Sequence, residues 1–398
     1  MLLHLLARLA ERHPLPVIRA IHVHHGLQAV ADEWPAHCQV ICDGLGIELK
    51  TVRVHVEPGS SLEQAARDAR YQAFSEHLGK GELLLTGQHL DDQAETVLFR
   101  LLRGAGVRGL AGMPNERVLG RGRLVRPLLG TSRKALEAYA EFNDLVWIED
   151  PSNQQRAHAR NYLRRDVLPL LRQRWPQAAL TLSRTAAHMS EAQQLLDELA
   201  QEDLSAAKVG DSLCWLSLPS LALPALRALS TVRQRNALRY WLSHLTLAPD
   251  EAHWAGWESL RDAAPDAAPR WRLIGGELRR SCNRIWWLTD AWLASPGAPV
   301  DWPDPAAHLT LPYNGTLRIE GAPPAGKLQI RYRKGGEVLQ VPNRGRRDLK
   351  RLLNEAGVPT FVRGRLPLLY CDDELVAAAN LPLHRDGRFA LYWCIPAF

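Results

Sequence analysis

The chain has 398 residues, too many for one compact core, so two or three domains are expected. Lys and Arg number 49 against 43 Asp and Glu, and a net charge of +6 permits a polyanionic partner without requiring one. Apolar residues make up 46%, enough for buried cores, and no stretch reaches the ~18 apolar residues that a membrane-spanning helix needs. Six cysteines without a C-x-x-C pair point to a reducing compartment, with Cys38 and Cys42 read as buried thiols and not as metal ligands. The apolar opening Met1–Ala10 runs into Glu11-Arg12-His13-Pro14, which reads as a core helix and not a signal peptide. A cytoplasmic location follows as the expectation.

Over the first ~150 residues helical and strand-like stretches alternate. Met1–Arg12 is helical, and Val17–Val23 fits a buried parallel strand. Asp32–Leu45 is helical and Glu48–Val56 alternates as a strand. Ser61–Leu78 is helical again, with Ser60 or Ser61 as N-cap and Gln64 placed for a capping box. Glu82–Thr86 is a second buried strand, leading to a helix over Asp91–Arg103. Such alternation predicts an α/β domain, a parallel sheet with helices on its faces, to about residue 205. From Leu163 to about Leu260 helical periodicity dominates, with one long helix over Leu180–Ala200, and 206–295 is predicted as a mainly helical domain. Residues 296–327, rich in proline and glycine, read as a linker with one hairpin near Leu309–Ile319. A small α+β domain, 328–398, follows, with one helix at Arg347–Ala356.

The strongest chemical signal is Thr86-Gly87-Gln88-His89-Leu90-Asp91-Asp92-Gln93-Ala94-Glu95-Thr96, where a strand gives way to a helix. Open α/β sheets bind ligands at this edge. Asp91 and Asp92 suit a helix N-terminus on electrostatic grounds alone. A bare cap requires neither His89 nor Glu95, so a catalytic role for His89, Asp91, Asp92 and Glu95 is the reading taken. Asp91 and Asp92 are also the candidates to hold Mg²⁺ on an ATP phosphate chain. At another strand end stands His22-Val23-His24-His25-Gly26-Leu27. His24 and His25 point oppositely in extended chain, which disfavours a shared metal. Gly26 allows close backbone approach to a flat ligand such as adenine, which makes His22, His24 and Gly26 nucleotide-edge candidates. Arg67 and Arg70 share a helix face in Ala66-Arg67-Asp68-Ala69-Arg70-Tyr71 and suit phosphate. A glycine-rich loop, Arg103–Leu110, comes next. Beyond Asp150-Pro151-Ser152-Asn153, the residues Arg156, Arg160 and Arg164 recur every four residues, beside Arg165. As one helical stripe without compensating acids they would track a nucleic-acid backbone.

These segments, in this order and spacing, together with Arg126-Pro127-Leu128-Leu129, resemble the tRNA(Ile)-lysidine synthetases, which are PP-loop ATP pyrophosphatases. The likeness continues through Arg235–Leu242, Arg270–Leu288 and Arg331–Ala379, the last containing Arg347, Lys350 and Arg351, and so covers nearly the whole chain. It implies ATP and Mg²⁺ as cofactors, and free L-lysine and a tRNA(Ile) with a CAU anticodon as partners, and leaves a homodimer open. The implied reaction activates C2 of the wobble cytidine as an adenylate. The lysine ε-amine then displaces AMP, giving lysidine and switching codon reading from AUG to AUA.

The family pattern opens with a strand and Ser-Gly-Gly-x-Asp-Ser, whose backbone N–H groups grip phosphate. No such motif occurs here, and Met1 aligns a couple of residues beyond the expected serine. A misassigned start or a truncation is therefore expected, and residues 1–398 alone are expected to be nearly inactive. The alternatives are a non-catalytic tRNA-binding remnant, told apart by ATP binding, and a base-thiolating PP-loop enzyme, which would need the cysteine pairs this chain lacks.

Overall fold

A computed structural model describes residues 1–56, 62–154, 159–208, 213, 215–264, 267–342, 344–384 and 388–396. Ser60 and Ser61, the expected helix caps, lie outside these, and Gln64 bonds forward to Asp68. The chain divides into two units, residues 1–195 and 196–398.

Strand and helix alternate through the first unit: α1 (Leu2–Ala10), β1 (Arg19–His24), α2 (Trp34–Gly44), β2 (Glu48–Arg53), α3 (Leu62–His77), β3 (Leu83–Leu85) and α4 (Leu90–Leu102). There follow α5 (Val107–Leu110), β4 (Glu116–Leu119), β5 (Gly122–Val125), α6 (Arg133–Phe142), α7 (Ala159–Tyr162), α8 (Leu168–Arg174) and α9 (Ala178–Lys208), within which the unit boundary falls. β1 and β2 pair in parallel. β3 pairs in parallel with β5, on which β4 folds back as an antiparallel hairpin. The parallel sheet thus comes in two pieces, β2–β1 and β3–β5–β4.

The expectation of fully buried strands does not hold. Val17 is 90% exposed, Leu83 lies open, and β1 is buried only at His24. A strand paired on one side keeps its other edge and part of its faces open. Nor is α1 a buried core helix, since none of its residues is buried. It is tied to α6 by a 2.8 Å hydrogen bond between His4 Nδ1 and the Tyr139 hydroxyl.

The second unit opens with β6 (Ser220–Ala222), α10 (Leu223–Arg227), α11 (Thr231–Leu242) and α12 (Trp254–Asp262). These helices pack Leu238, Trp254 and Trp257 into one core. Its other wall is an antiparallel sheet of β7 (Arg270–Leu273), β8 (Gly276–Ser281), β9 (Arg284–Thr289) and β6, which helical periodicity did not announce. After α13 (Asp290–Leu293) come β10 (Val300–Asp301), β11 (Leu309–Leu311) and β12 (Gly315–Gly321). The hairpin expected near Leu309–Ile319 is β11–β12.

Residues 296–327 are not a linker. β10 pairs with β13 (Leu328–Arg331), β12 pairs with β19 (Phe389–Cys394), and Trp302, Leu311 and Leu317 are buried in the C-terminal core. The prolines fall in turns and at short strand edges, where no ladder bond is lost. Next come β14 (Val338–Val341), β15 (Gly345–Asp348), α14 (Leu349–Glu355), α15 (Thr360–Arg363), β16 (Leu368–Cys371), β17 (Glu374–Ala378) and β18 (Leu383–His384). The helix expected from Arg347 begins two residues later, because Asp348 is its N-cap and accepts from Arg351 N. That leaves Arg347 in β15.

Gly122 lets β5 close on β3. A Cβ there would press on the Glu82 carbonyl oxygen and the Leu78 side chain. Gly122→Ala should destabilise the first unit by about 1–3 kcal/mol. A urea midpoint equal to that of the parent chain would show that the strands give way freely.

Candidate active site

His89 caps α4 through a reciprocal pair of bonds. Its Nδ1 accepts from Asp92 N at 3.4 Å, and Asp92 Oδ2 accepts from His89 N at 3.1 Å. Leu90 N donates to Thr131 O, which ties the start of α4 to the turn before α6. This fixes where the next three acids point.

Asp91 is 8% exposed, and its Oδ2 accepts from Arg133 N, in the first turn of α6, at 2.8 Å. Its Oδ1 accepts from the Arg172 guanidinium on α8. Burial alone would raise the Asp91 carboxyl. The Arg133 N–H and then Arg172 outweigh it and hold the group below its ordinary value.

Glu95, one turn on, is 2% exposed. Arg164 grips it with two bonds, Nε to Oε1 at 2.6 Å and Nη2 to Oε2 at 2.9 Å, and reaches Asp92 Oδ1 at 2.9 Å. Burial pushes the Glu95 carboxyl up and Arg164 opposes that push, while the bond to Glu95 raises Arg164 itself. The two short bonds to the guanidinium are charge-assisted and hold the carboxylate in one orientation.

The expected stripe of free arginines therefore does not form. Arg164 lies in a π-turn, Leu163–Val167, that aims it at α4, and it is compensated by two acids. Arg156 lies outside the described residues. Arg160, on α7, is half-buried near Arg100, and Arg165 is exposed. In the second unit Arg347, Lys350 and Arg351 are exposed, and Arg351 pairs with Glu355 at 3.2 Å.

The two proposed Mg²⁺ ligands are engaged as well. A divalent ion at Asp91 and Asp92 would have to displace Arg172 and Arg164, so the residues as they stand do not fit one. Among the described residues no cluster of three His, Cys, Asp or Glu has metal-site geometry.

At the end of β1 the histidines form a mostly enclosed group. His22 and His24 rings lie 6.5 Å apart, as side chains two residues apart on a strand do. His24 Nε2 stands 3.1 Å from Asp32 Oδ1 without hydrogen-bond geometry. His22 Nε2 and His25 Nδ1 are buried without partners among the described residues. Burial lowers the pKa of His22 and His25, the latter further through Arg70. Both are neutral near pH 7, with ring nitrogens left for a ligand. Gly26 has φ +66°, and a Cβ there would meet nothing within 4 Å, so the backbone lies open to close approach.

Sequence reasoning missed Arg172, Arg100 and Gln93. Arg100 donates to Gly109 O at 2.9 Å and Gly112 O at 2.7 Å, and so fixes the glycine-rich loop. Gln93 clasps the Met113 backbone in both directions. Helical spacing from Glu95 hinted at neither, because each partner lies across a loop.

Three family models match the chain. A PP-loop domain matches residues 1–171, a TilS substrate binding domain 221–286 and a TilS substrate C-terminal domain 328–390. These define a class of ATP-using PP-loop enzymes that carry two further substrate domains. The chain is 60% identical to the tRNA(Ile)-lysidine synthase of Pseudomonas putida, over 99% of its own length and 92% of that protein. Identity to the synthase of Pseudomonas aeruginosa is also 60%, with 99% and 90% covered, and to that of Coxiella burnetii 40%, with 95% and 85% covered. Among solved structures, the U34-tRNA thiolase NcsA of Methanococcus maripaludis is similar over 48% of this chain and 68% of its own, at 20% identity and a TM-score of 0.40. The chain belongs to the tRNA(Ile)-lysidine synthase family.

The Asp91 contribution to stability is fully present above the unfolded carboxylate value of about 3.9 and is lost as pH falls through the lower folded value. In Arg172→Ala burial loses an opponent and the folded value rises toward the unfolded one. The variant should therefore be less stable than the parent near pH 7, and the gap should close as pH falls. Urea midpoints measured across pH 3–7 check this, and superimposable profiles would dissociate Arg172 from Asp91.

Proposed function

We propose that this chain joins free L-lysine to C2 of the wobble cytidine in a CAU-anticodon tRNA(Ile), using ATP, and so makes lysidine. The observation that carries the reading is the half-buried Asp92–Glu95–Arg164 cluster, with Glu95 at its buried end, at a strand's carboxyl end in a member of this family. In the first step the cytidine O2 attacks the α-phosphorus of ATP and pyrophosphate leaves. In the second the neutral ε-amine of lysine attacks C2, the C2–O bond breaks, and AMP leaves with the bonding electrons.

Arg164 already places a cationic side-chain terminus on Asp92 and Glu95. A lysine ε-ammonium carries the same charge and donor chemistry, so exchange with part of the Arg164 contact gives it a seat. His89, whose Nδ1 accepts from Asp92 N, carries its ring proton on Nε2, 3.4 Å from Asp92 Oδ2, and so orients that carboxylate. The Asp92 carboxylate is then the group placed to take the proton the amine must lose. His22, His24 and Gly26, with Arg67 and Arg70 on α3, form the nucleotide edge in this reading. Arg160, Arg165, Arg347, Lys350 and Arg351 supply cationic contacts to tRNA. Mg²⁺ would accompany the ATP phosphates and offset their charge. The setting is the cytoplasm, and among the described residues no helix is long and apolar enough to cross a membrane. A non-catalytic tRNA binder is not favoured, because the chain is 60% identical over nearly its whole length to proteins named as lysidine synthases.

Glu95→Gln keeps the shape and removes the charge. It should raise the KM for lysine and slow lysidine formation by about 10²-fold or more, leaving tRNA-dependent pyrophosphate release nearly intact. Loss of pyrophosphate release with an unchanged lysine KM would move Glu95 to the adenylation step.

A further inference from the structure

A second charged cluster in the first unit has no acid to answer it. Tyr71 on α3 has the Arg67 guanidinium 5.0 Å and the Arg117 guanidinium 4.9 Å from its ring centroid. Arg126, which is 3% exposed, is close enough for its charge to act on the Tyr71 hydroxyl. Arg126 donates from Nη1 to Pro114 O at 2.7 Å, while its Nε is buried without a partner among the described residues. Arg100, beside the glycine-rich loop, is close enough to Arg67 and Arg160 to feel both charges. Among the described residues no ion pair joins Arg67, Arg100, Arg117 or Arg126 to a carboxylate.

We propose that Arg67, Arg117 and Arg126, gathered on Tyr71, form a seat for a phosphate oxyanion, either a phosphodiester of the tRNA backbone or a phosphate of the nucleotide. Three considerations lead there. Like charges drawn together in partly dry surroundings repel, and a folded chain holds them so when a counter-anion completes the set. Burial and then the charges of Arg117 and Arg67 hold Arg126 below its ordinary pKa, with Tyr71 opposing them, so an anion bound there would gain from all three cations at once. The arginines also come from separate elements, Arg67 from α3, Arg117 from β4 and Arg126 from just beyond β5, and the Tyr71 ring holds two of them in place through cation–π contact. A solvated basic face would not bury Arg126 or leave its Nε unbonded.

The seat deepens the tRNA-modification reading and rests on it for the identity of the anion. Arg117 is half-buried and its cluster contact is the Tyr71 ring, so its charge can be changed with the least harm to the core. The test compares the full chain with Arg117→Gln and Arg117→Lys, reading binding of an anticodon stem-loop RNA over a salt series and binding of ATP separately. If the anion is a backbone phosphate, Arg117→Gln weakens RNA binding about tenfold, lowers the slope of log K against log salt by about one, and leaves ATP alone, while Arg117→Lys restores the slope. If it is a nucleotide phosphate, ATP affinity falls and RNA binding does not. Unchanged RNA affinity, salt slope and ATP affinity in Arg117→Gln would overturn the seat. Lysidine formation by the parent chain, measured alongside, tests the reaction itself. Lysidine formation by the parent beside unchanged binding in Arg117→Gln would overturn the seat and leave the reaction standing.

Discussion

A carboxylate as deeply buried as Glu95 is untenable without a cation at bonding distance, and the two bonds from Arg164 are what allow α4 to carry its acids inward. Removing one partner of such a pair strands the other charge, typically at a cost of about 3–5 kcal/mol. The apolar cluster beneath is small, Leu90 and Ala94 of α4 with Leu168 and Ala179. Polar bonding therefore does much of the specifying. Asp91 reaches α6 through Arg133 N and α8 through Arg172, while Asp92 and Glu95 reach the segment between α7 and α8 through Arg164. One turn of helix thus sets the position of three neighbouring segments, and any ligand that competes for its acids acts on all three.

How much of this could be read from the sequence depends on how local the cause is. The acids of α4 were readable, because a strand ending at Thr86 and a helix expected from Asp91 put them in one turn whatever lies around them. The cap at His89 was not, since helix electrostatics pointed to Asp91 and Asp92. Nor were the partners of those acids. Arg160 and Arg164 are four apart, and the α-helical period assigns them one face. The π-turn at Leu163–Val167 adds a residue to the turn and sends Arg164 to α4 instead. The segment 296–327 misleads in the opposite sense. Its prolines and glycines describe turns correctly, yet Trp302, Leu311 and Leu317 between them are core residues, and strands of two to seven residues leave little periodicity to detect. Nothing in the alternation of β4 singles out Arg117, since its role comes from an aromatic ring nearly fifty residues earlier.

The first unit thereby holds two electrostatic arrangements of opposite kind. Around α4 three acids share two guanidiniums, Arg164 and Arg172, so a cation entering there exchanges with a positive group already in place. Around Tyr71 the cations have no internal answer, and entry of an anion completes the set. The proposed reaction needs both behaviours in one fold. Its amine is a cation that must give up a proton before it reacts, which a site of exchangeable acids permits without trapping the ammonium too tightly. Its other reactants are polyanions that must be held while a phosphorus–oxygen bond is made and another is broken, which calls for fixed positive charge that does not reorganise. Had the arginines of the Tyr71 cluster been paired with acids of their own, each phosphate would have had to break an ion pair on arrival, and much of the binding energy would have gone into that.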